Sequence, residues 1–350
     1  MSRRGILLGG LALAGGGVFS GALSGGTAWA ADSPLITDCN GWGARPNSDI
    51  VEIWNQRPVK IIVHHTASAN VENYSQDAAF GLARSIQNFH MDGRGWLDTG
   101  QHFTISRGGF VMEGRHRSLE VLRIGQRAVE GAHCVGQNIV AVGIENEGLY
   151  TDVDPPQALW DRLRQMCAYI CQQYGIAPTE LYGHRDFNNT ACPGDRLYGQ
   201  LPRLRTEVAG ALGIGLEGGA ARKASWPLLR RGDRGVVVQA AQYLLRDARA
   251  TEAAPTGVFD VETDAAVRRF QVAHGAAKVN GLLGGQSWPV LARTVARGEG
   301  SDAERAAATL AAARGAEGVP NVVTAPDWQR LLGTGGAPMN TTADPLGPPR

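Results

Sequence analysis

The spacing of apolar positions in the first part of the chain alternates between that of buried strands and that of amphipathic helices. Residues 59–65 form a short apolar run rich in β-branched side chains, which predicts a buried strand. Residues 75–90 carry apolar side chains at helical spacing, and Ser75 is placed to cap that helix. The other predicted elements are a hairpin over 101–113, a strand over 138–144, a long helix over 156–174, a short strand over 181–184 and a closing helix over 201–212.

Strands that alternate with helices, together with one hairpin, predict an α/β domain with a mixed central β-sheet flanked by helices. This domain should span residues 34–212. Residues 213–225 are rich in small side chains and predict a linker. Helical spacing after the linker predicts a smaller helical module over residues 226–295.

Two further segments follow this helical module. Gly275 and Trp288 are matched by a glycine and a tryptophan 40 residues later, which predicts a partial, degenerate second repeat over residues 301–333. Residues 334–350 are rich in glycine and proline, and this composition predicts a disordered tail.

The N-terminal residues carry the features of an export signal. Arg3 and Arg4 precede an apolar, glycine-rich stretch, and a small-x-small cleavage site ends at Ala30. Residues 1–30 are therefore expected to be a cleaved signal peptide, and the paired arginines indicate the twin-arginine route. The alternative is a short N-terminal membrane anchor. A cleaved signal predicts a secreted protein.

The charge balance argues against two classes of partner. The chain has 34 basic and 33 acidic residues, and loss of Arg3 and Arg4 with the signal would change the net charge from +1 to −1. Such a balance favours neither nucleic acid nor, after signal cleavage, an acidic membrane surface. No feature of the sequence indicates an obligate oligomer, so a monomer is expected.

Five cysteines are an odd number for an exported protein. One of them should be a metal ligand, a free thiol or half of an intermolecular disulfide. If one is a ligand, the other four allow three pairings, and the sequence leaves all three open.

Candidate ligands for a metal are His64, His184 and Cys192. Zinc prefers imidazole and thiolate, and three protein ligands leave the fourth position open, as catalytic zinc requires. Zinc would lower the pKa of a bound water to about 7 and polarise a substrate carbonyl. Side chains alternate along a strand, so at most one of His64 and His65 joins a given site. A lone histidine at the end of a buried strand, such as His64, is more often a satisfied core or edge residue than a metal ligand.

Six short motifs occur in order along the α/β domain: Val63-His64-His65-Thr66, Gly100-Gln-His-Phe-Thr-Ile105, Glu113-Gly-Arg115, Gly131-Ala-His133, residues 142–148, and Gly183-His-Arg-Asp186 with Thr190-Ala-Cys-Pro193. Together they resemble the zinc N-acetylmuramoyl-L-alanine amidases, a superfamily that includes the peptidoglycan recognition proteins. The resemblance covers about residues 36–212. It implies that His64, His184 and Cys192 are zinc ligands. It also implies cleavage of the amide between the lactyl group of N-acetylmuramic acid and L-alanine of the stem peptide.

The resemblance also points to a general base. Peptidoglycan recognition proteins and a phage amidase known as a lysozyme place a tyrosine where this chain has Gln101. The cytosolic recycling amidases lack that tyrosine and use a glutamate in a segment matched here by residues 144–147. Glu145 is therefore assigned as the base that takes a proton from the attacking water and delivers it to the leaving amine. Glu147 is the alternate base, and the alternative role for Glu145 is a structural carboxylate.

Other site residues follow from the same resemblance. Thr190 matches a lysine or threonine of active members, and its hydroxyl is a candidate oxyanion donor, with capping of loop backbone as the alternative role. The recycling enzymes have aspartate as the third ligand, so Cys192 follows the pattern of the recognition proteins and the phage amidase. The candidate substrate contacts are His133, Gln101, His65 and Arg115.

The C-terminal module has a resemblance of its own. Residues 229–245 and 257–271, followed by Asn280-Gly281 and Ser287-Trp288, resemble the three-helix peptidoglycan-binding domain found beside cell-wall hydrolases. This implies wall anchoring, which raises the local concentration of an enzyme on an insoluble substrate. The apolar residues expected in its core are Val236, Val238, Leu244, Val267 and Phe270.

The sequence thus predicts a secreted, cell-wall-associated zinc amidase, with zinc as cofactor and peptidoglycan as partner. The alternative is a non-catalytic or weakly active peptidoglycan-binding protein, which Gln101 keeps open because the same fold can serve as a receptor. A third possibility is a zinc peptidase that cuts within stem or cross-bridge peptides. It would need a different groove rather than a different metal site.

Overall fold

The computed structural model describes residues 33–218, 220, 225–316 and 318–332. The predicted signal peptide and the predicted tail lie outside the described residues, as does part of the predicted linker. Among the described residues, no helix has the length and apolar composition needed to cross a membrane.

The described residues form short strands and helices in an alternating order. The strands are β1 Ile36–Thr37, β2 Ile53–Trp54, β3 Lys60–His65, β4 Phe103–Ile105, β5 Val111–Glu113, β6 Ala128–Val129, β7 Ala141–Asn146, β8 Leu181–Gly183, β9 Val295–Ala296 and β10 Val322–Val323. The α-helices are α1 Gln76–Asn88, α2 Ser118–Ile124, α3 Gln157–Tyr174, α4 Asp195–Gly199, α5 Leu201–Ala211, α6 Val236–Asp247, α7 Val261–Ala273, α8 Trp288–Leu291, α9 Asp302–Ala313 and α10 Ala325–Leu332. Single turns of other helix types span Phe89–Gly93, Pro178–Glu180 and His184–Asp186.

Six strands form one mixed sheet in the order β1-β5-β4-β7-β3-β8. The hairpin strands β4 and β5 are antiparallel, and every other neighbouring pair is parallel. The prediction of a mixed sheet flanked by helices is therefore confirmed. Parallel pairing aligns the carboxyl ends of β7, β3 and β8, so the residues that follow these strands meet at one edge of the sheet.

The two faces of the sheet have different neighbours because side chains alternate along each strand. Ile61 and Val63 of β3 and Ile144 of β7 pack into the main apolar core with the buried face of α3. The intervening residues of β3, Ile62 and His64, point to the opposite face. The long helix α3 therefore covers one face of the sheet, and the polar side chains at the ends of β3 and β7 emerge on the other.

Helix α1 begins where the sequence predicted. The Ser75 side chain accepts a hydrogen bond from the backbone N–H of Ala78 at 3.2 Å and satisfies one of the first N–H groups of the helix. Helix α3 ends at Gly175, whose φ of 72° lies in the left-handed region that glycine adopts without strain.

The C-terminal region has one apolar core rather than two. Helices α6 and α7 and the buried Trp288 share this core with α9 and with Trp328 of α10. Strand β9, at the end of the predicted three-helix domain, pairs antiparallel with β10, so the segment predicted as a second repeat completes the first unit. Of the predicted core residues, Val238, Leu244, Val267 and Phe270 are buried, and Val236 is partly buried against them.

The structure contains none of the disulfide pairings that the sequence left open. All five cysteines lie among the described residues, and all are buried free thiols. Cys167 and Cys171 occupy successive turns of α3 within the main apolar core.

Candidate active site

The candidate site lies at the carboxyl ends of three parallel strands. His64 is the fifth residue of β3, and its neighbour in register on β7 is Glu145, so both side chains leave the same face of the sheet. His184 follows directly after β8. The loop after His184 then returns Cys192 to the end of β3, where its Sγ accepts a hydrogen bond from the backbone N–H of His65 at 3.3 Å.

His64, His184 and Cys192 form a candidate metal site. One ligand atom from each of these three side chains lies within 4.8 Å of the others. A tetrahedral zinc with ordinary bond lengths would hold a sulfur and a nitrogen ligand about 3.6 Å apart. The distance from Cys192 Sγ to His64 Nδ1 is 3.6 Å, so these residues fit zinc in both donor type and spacing.

Each histidine of the triad is oriented by a hydrogen bond through its other ring nitrogen. His64 Nε2 lies 2.9 Å from His133 Nδ1, and His184 Nε2 lies 3.0 Å from the side-chain oxygen of Asn188. If each Nε2 carries the hydrogen and donates it, both Nδ1 atoms keep a lone pair for a metal. Asn188 is not among the site residues predicted from the sequence, where its position four residues after His184 is the only signal for it.

Two glycines make room for His133. A Cβ on Gly143 of β7 would lie 2.5 Å from the His133 ring, and one on Gly131 would lie 2.6 Å from it. His133 therefore lies directly over the β7 backbone. Its Nε2 is buried and has no hydrogen-bond partner among the described residues. His133 lines the cleft, as expected of a substrate contact, but its hydrogen bond to His64 also makes it an orienting residue for the metal site.

The protonation states of the two histidines in the triad suit a bound cation. Burial lowers the pKa of His184 to about 4, and burial beside other histidines holds the pKa of His64 well below its ordinary value. Both imidazoles are therefore neutral near pH 7, as metal ligands must be. Burial raises the pKa of the Cys192 thiol, with the Glu145 carboxyl as the next cause. A cation would reverse this effect, since metal coordination deprotonates a thiol.

Glu145 has the properties expected of a general base. Burial alone raises the pKa of its carboxyl from 4.5 to about 8, and a cation held by the ligand triad would lower that pKa again and favour the carboxylate that a base requires. Its Oε2 is buried and has no hydrogen-bond partner in the described part of the chain. Glu145 lines the same cleft as the three candidate ligands. A carboxyl that is not held by loop amides is available to a bound substrate or water.

Glu147, the alternate base, is held elsewhere. Its Oε2 accepts a hydrogen bond from the backbone N–H of Arg107 at 2.7 Å, and it is not among the residues that line the cleft. The structure therefore gives Glu147 the role of a structural carboxylate, the role that was weighed for Glu145.

Thr190 and Gln101 both line the cleft. Thr190 Oγ1 accepts a hydrogen bond from the backbone N–H of Cys192 at 3.2 Å, so it supports the ligand loop. A hydroxyl that accepts one hydrogen bond can still donate its own hydrogen to a substrate oxygen. The Gln101 amide donates to Thr104 Oγ1 at 2.9 Å.

Two residues expected to contact substrate, Arg115 and His65, form hydrogen bonds with backbone groups of the protein itself. The guanidinium of Arg115 is buried, donates to the carbonyls of Thr99 and Glu130, and does not line the cleft. The sequence shows that Arg115 is positively charged. Only the fold shows that backbone carbonyls surround its guanidinium. His65 lines the cleft, but its Nδ1 accepts from the backbone N–H of Tyr150 at 3.3 Å, and burial lowers its pKa to about 4.

The three candidate ligands line a cleft of about 740 Å³ together with Glu145, His133, Thr190 and Gln101. This volume lies within the range of small-molecule sites, which is about 300 to 1,000 Å³. Two neutral imidazoles and a thiol supply ligand types that zinc prefers, and the adjacent buried carboxyl supplies a group for proton transfer, so the cleft holds the groups that a metal-dependent hydrolase requires.

Comparison with known proteins agrees with this class. Residues 54–195 match the N-acetylmuramoyl-L-alanine amidase family, and residues 234–291 match a peptidoglycan binding domain family. The chain is 32% identical over 169 residues to peptidoglycan-recognition protein SC1a of Drosophila melanogaster, covering 46% of this chain and 80% of that protein. The chain therefore belongs to the family of N-acetylmuramoyl-L-alanine amidases and peptidoglycan-recognition proteins.

Two further relatives are matched over smaller shares of their length, and one solved structure over most of its chain. Peptidoglycan-recognition protein LB of Drosophila melanogaster is 31% identical over 161 residues, which are 46% of this chain and 64% of that protein. The N-acetylmuramoyl-L-alanine amidase of Homo sapiens is 31% identical over 161 residues, which are 45% of this chain and 26% of that protein. A solved structure of wild-type Drosophila peptidoglycan-recognition protein LB aligns with 48% of this chain and 92% of that chain, at 30% identity and a TM-score of 0.42.

Proposed function

We propose that this protein is a zinc-dependent hydrolase that cleaves the amide bond between N-acetylmuramic acid and L-alanine in bacterial peptidoglycan. The observation that carries the proposal is the pairing of the His64, His184 and Cys192 cluster with the unpartnered carboxyl of Glu145 in one cleft. Membership of the amidase family supports the choice of bond.

The chain's own residues supply binding, orientation and proton transfer. Bound zinc, held by His64, His184 and Cys192, would act as a Lewis acid that polarises the carbonyl and makes water a strong nucleophile near pH 7. The Glu145 carboxylate accepts the proton of the attacking water and returns it to the nitrogen of the leaving L-alanine. The Thr190 hydroxyl donates to the oxygen on which negative charge develops.

The proposal extends to where the protein acts. Twin-arginine export followed by removal of residues 1–30 would deliver it to the cell wall, and the match to a peptidoglycan binding domain supports attachment there. Attachment keeps the enzyme concentrated on an insoluble substrate.

The second candidate function is a peptidoglycan-binding protein with little or no activity. The observation that favours it is Gln101, which stands where related proteins place a tyrosine and whose amide is engaged with Thr104. Family membership does not separate the two candidates, because the family contains both amidases and recognition proteins.

The deciding experiment follows the products released from purified peptidoglycan. The wild type is compared before chelation, after chelation and after zinc is restored, beside Glu145→Gln and the matched control Glu147→Gln. We expect intact stem peptides beginning with L-alanine, loss of release without zinc, and at least about a hundredfold loss in Glu145→Gln alone.

Other outcomes would reject the proposal. Fragments cut within the stem peptide would identify a peptidase. Zinc-loaded protein that binds the wall and releases nothing would establish the binding protein. Equal losses of stem-peptide release in Glu145→Gln and Glu147→Gln would show that Glu145 is not the general base.

A further inference from the structure

The C-terminal module contacts the loop that carries two of the candidate metal ligands. Asn189, between His184 and Cys192, is 1% exposed. Its Nδ2 donates to Ser287 Oγ at 2.8 Å, and its Oδ1 accepts from the backbone N–H of Gly284 at 3.3 Å. These bonds place one side chain of the ligand loop inside the C-terminal module.

The same loop also pairs with the module through backbone atoms. The side chain of Asn280 donates to the carbonyl of Asn189 at 2.7 Å. The N–H of Gly285 donates to the carbonyl of Arg185 at 3.1 Å. A Cβ on Gly285 would lie 2.1 Å from the Asp186 carbonyl oxygen, so the two backbones approach closely only because this residue is glycine.

An ion pair extends the contact beyond the loop. The Asp195 carboxylate binds the guanidinium of Arg185 from the amidase domain and that of Arg230 from the module. Arg185 is nearly buried, and Arg230 and Asp195 are partly exposed. The interface therefore combines satisfied buried hydrogen bonds, close backbone packing and a bridging carboxylate, which are features of a defined docking geometry.

Docking brings residues of the module to the catalytic cleft. Ala277, Lys278 and Gln286 line it together with the candidate metal ligands. Lys278 is exposed on the wall of this cleft. Among the described residues that line the cleft, Lys278 and Arg94 are cationic and Glu145 is acidic. Glu145 lies beside the candidate metal ligands, whereas Lys278 is an exposed ammonium on the module's side of the cleft, where it can pair with a carboxylate of a ligand.

We propose that the C-terminal module forms one wall of the catalytic groove and that Lys278 binds a carboxylate of the stem peptide there. The inference deepens the proposed function and rests on it for the identity of the ligand. It gives the module a part in substrate selection in addition to attachment.

The first test measures binding without turnover. A soluble muropeptide with free stem carboxylates, and the same molecule with those carboxylates amidated, are titrated into zinc-loaded Glu145→Gln protein. We expect Lys278→Gln to weaken binding of the free acid about fivefold, the upper range for an exposed ion pair, and to leave binding of the amidated form unchanged. Lys278→Arg should retain binding. Arg231→Gln, an exposed charge of the same module away from the cleft, is the matched control.

The second test separates the module from the groove. Gly285→Ala should raise the radius of gyration in X-ray scattering and weaken muropeptide binding about as much as Lys278→Gln. Gly318→Ala is its control because a Cβ there meets open space. If Gly285→Ala fails to fold, Arg230→Gln tests the same interface by removing a partly exposed ion pair.

The outcomes distinguish this inference from the proposed function. Weaker binding of the free acid alone in Lys278→Gln supports the inference even if the wild type releases no stem peptide. Unchanged affinity for the free acid in Lys278→Gln would overturn it even in an active amidase. Equal weakening for the free and amidated forms, or no measurable binding by the Glu145→Gln reference protein, would also overturn it.

Discussion

A buried carboxyl without a hydrogen-bond partner, such as that of Glu145, lowers the stability of the fold when it ionises. The pKa of Glu145 rises from 4.5 in the unfolded chain to about 8 in the zinc-free fold. Between these pH values the folded state binds more protons than the unfolded state, so stability falls as pH rises through this window. Glu145→Gln should therefore stabilise the zinc-free protein by more than about 1 kcal/mol at pH 8 and by much less at pH 5.

Urea unfolding of zinc-free protein at the two pH values measures this effect. Glu147→Gln is the matched control, because the Glu147 carboxylate accepts a backbone hydrogen bond and its loss should lower stability at both pH values. A Glu145→Gln protein that is no more stable at pH 8 than the wild type would show that the carboxyl is satisfied in the native state.

The sequence could predict the candidate ligands and Glu145 because their motifs are short and ordered. It could not predict how His133 and Asn188 orient the ligands. Those hydrogen bonds join residues 69 and 4 positions apart and depend on how the loops after β6 and β8 fold over the sheet. For the same reason, the sequence could not predict that Arg115 is buried away from the cleft, because the carbonyls that accept its hydrogen bonds belong to separate segments of the chain.

At the level of elements, strand β7 supports the site through the missing side chain of Gly143. Gly143→Ala would place a methyl group 2.5 Å from the His133 ring and displace the group that orients His64. We expect this change to weaken zinc affinity by about tenfold to a hundredfold, as loss of a ligand's orienting partner does elsewhere. Competition with a fluorescent chelator measures the affinity.

The matched control for Gly143→Ala is Gly81→Ala in α1. A Cβ at Gly81 meets nothing within 4 Å, so zinc affinity should not change, and stability should rise by about 0.5 to 1 kcal/mol. Wild-type zinc affinity in Gly143→Ala would mean that the strand does not position the ligand through His133.

The longer elements could be predicted from periodicity, whereas the shortest could not. Strand β3 and helices α1 and α3 carry apolar patterns that span several residues. Strands β1, β2 and β6 contain two residues each, which is too few for a period, and they form only through partners elsewhere in the chain. The pattern of apolar residues also does not give the order of the strands in the sheet, yet that order places His64 beside Glu145.

At the level of the whole molecule, the composition of residues 213–225 predicts a linker but does not predict how the module after it is placed. The structure packs the module against the ligand loop through Asn189 and Gly285. Composition shows that a segment contributes little to a core, but it does not show whether the flanking units have complementary surfaces. That complementarity depends on pairs such as Asn189 with Ser287, which lie 98 positions apart.

Because the ligand triad joins β3 to the loop after β8, zinc should stabilise the whole α/β domain. At a free zinc concentration of 100 times the dissociation constant, the expected gain is about 2.7 kcal/mol, and each kcal/mol raises Tm by about 2 to 4 °C in a domain of this size. Calorimetry of the full chain with zinc and with chelator measures the increment. Cys192→Ser should abolish it. Cys171→Ser, a buried thiol of α3, should lower Tm but preserve the increment. A full increment in Cys192→Ser would place the stabilising zinc at another site.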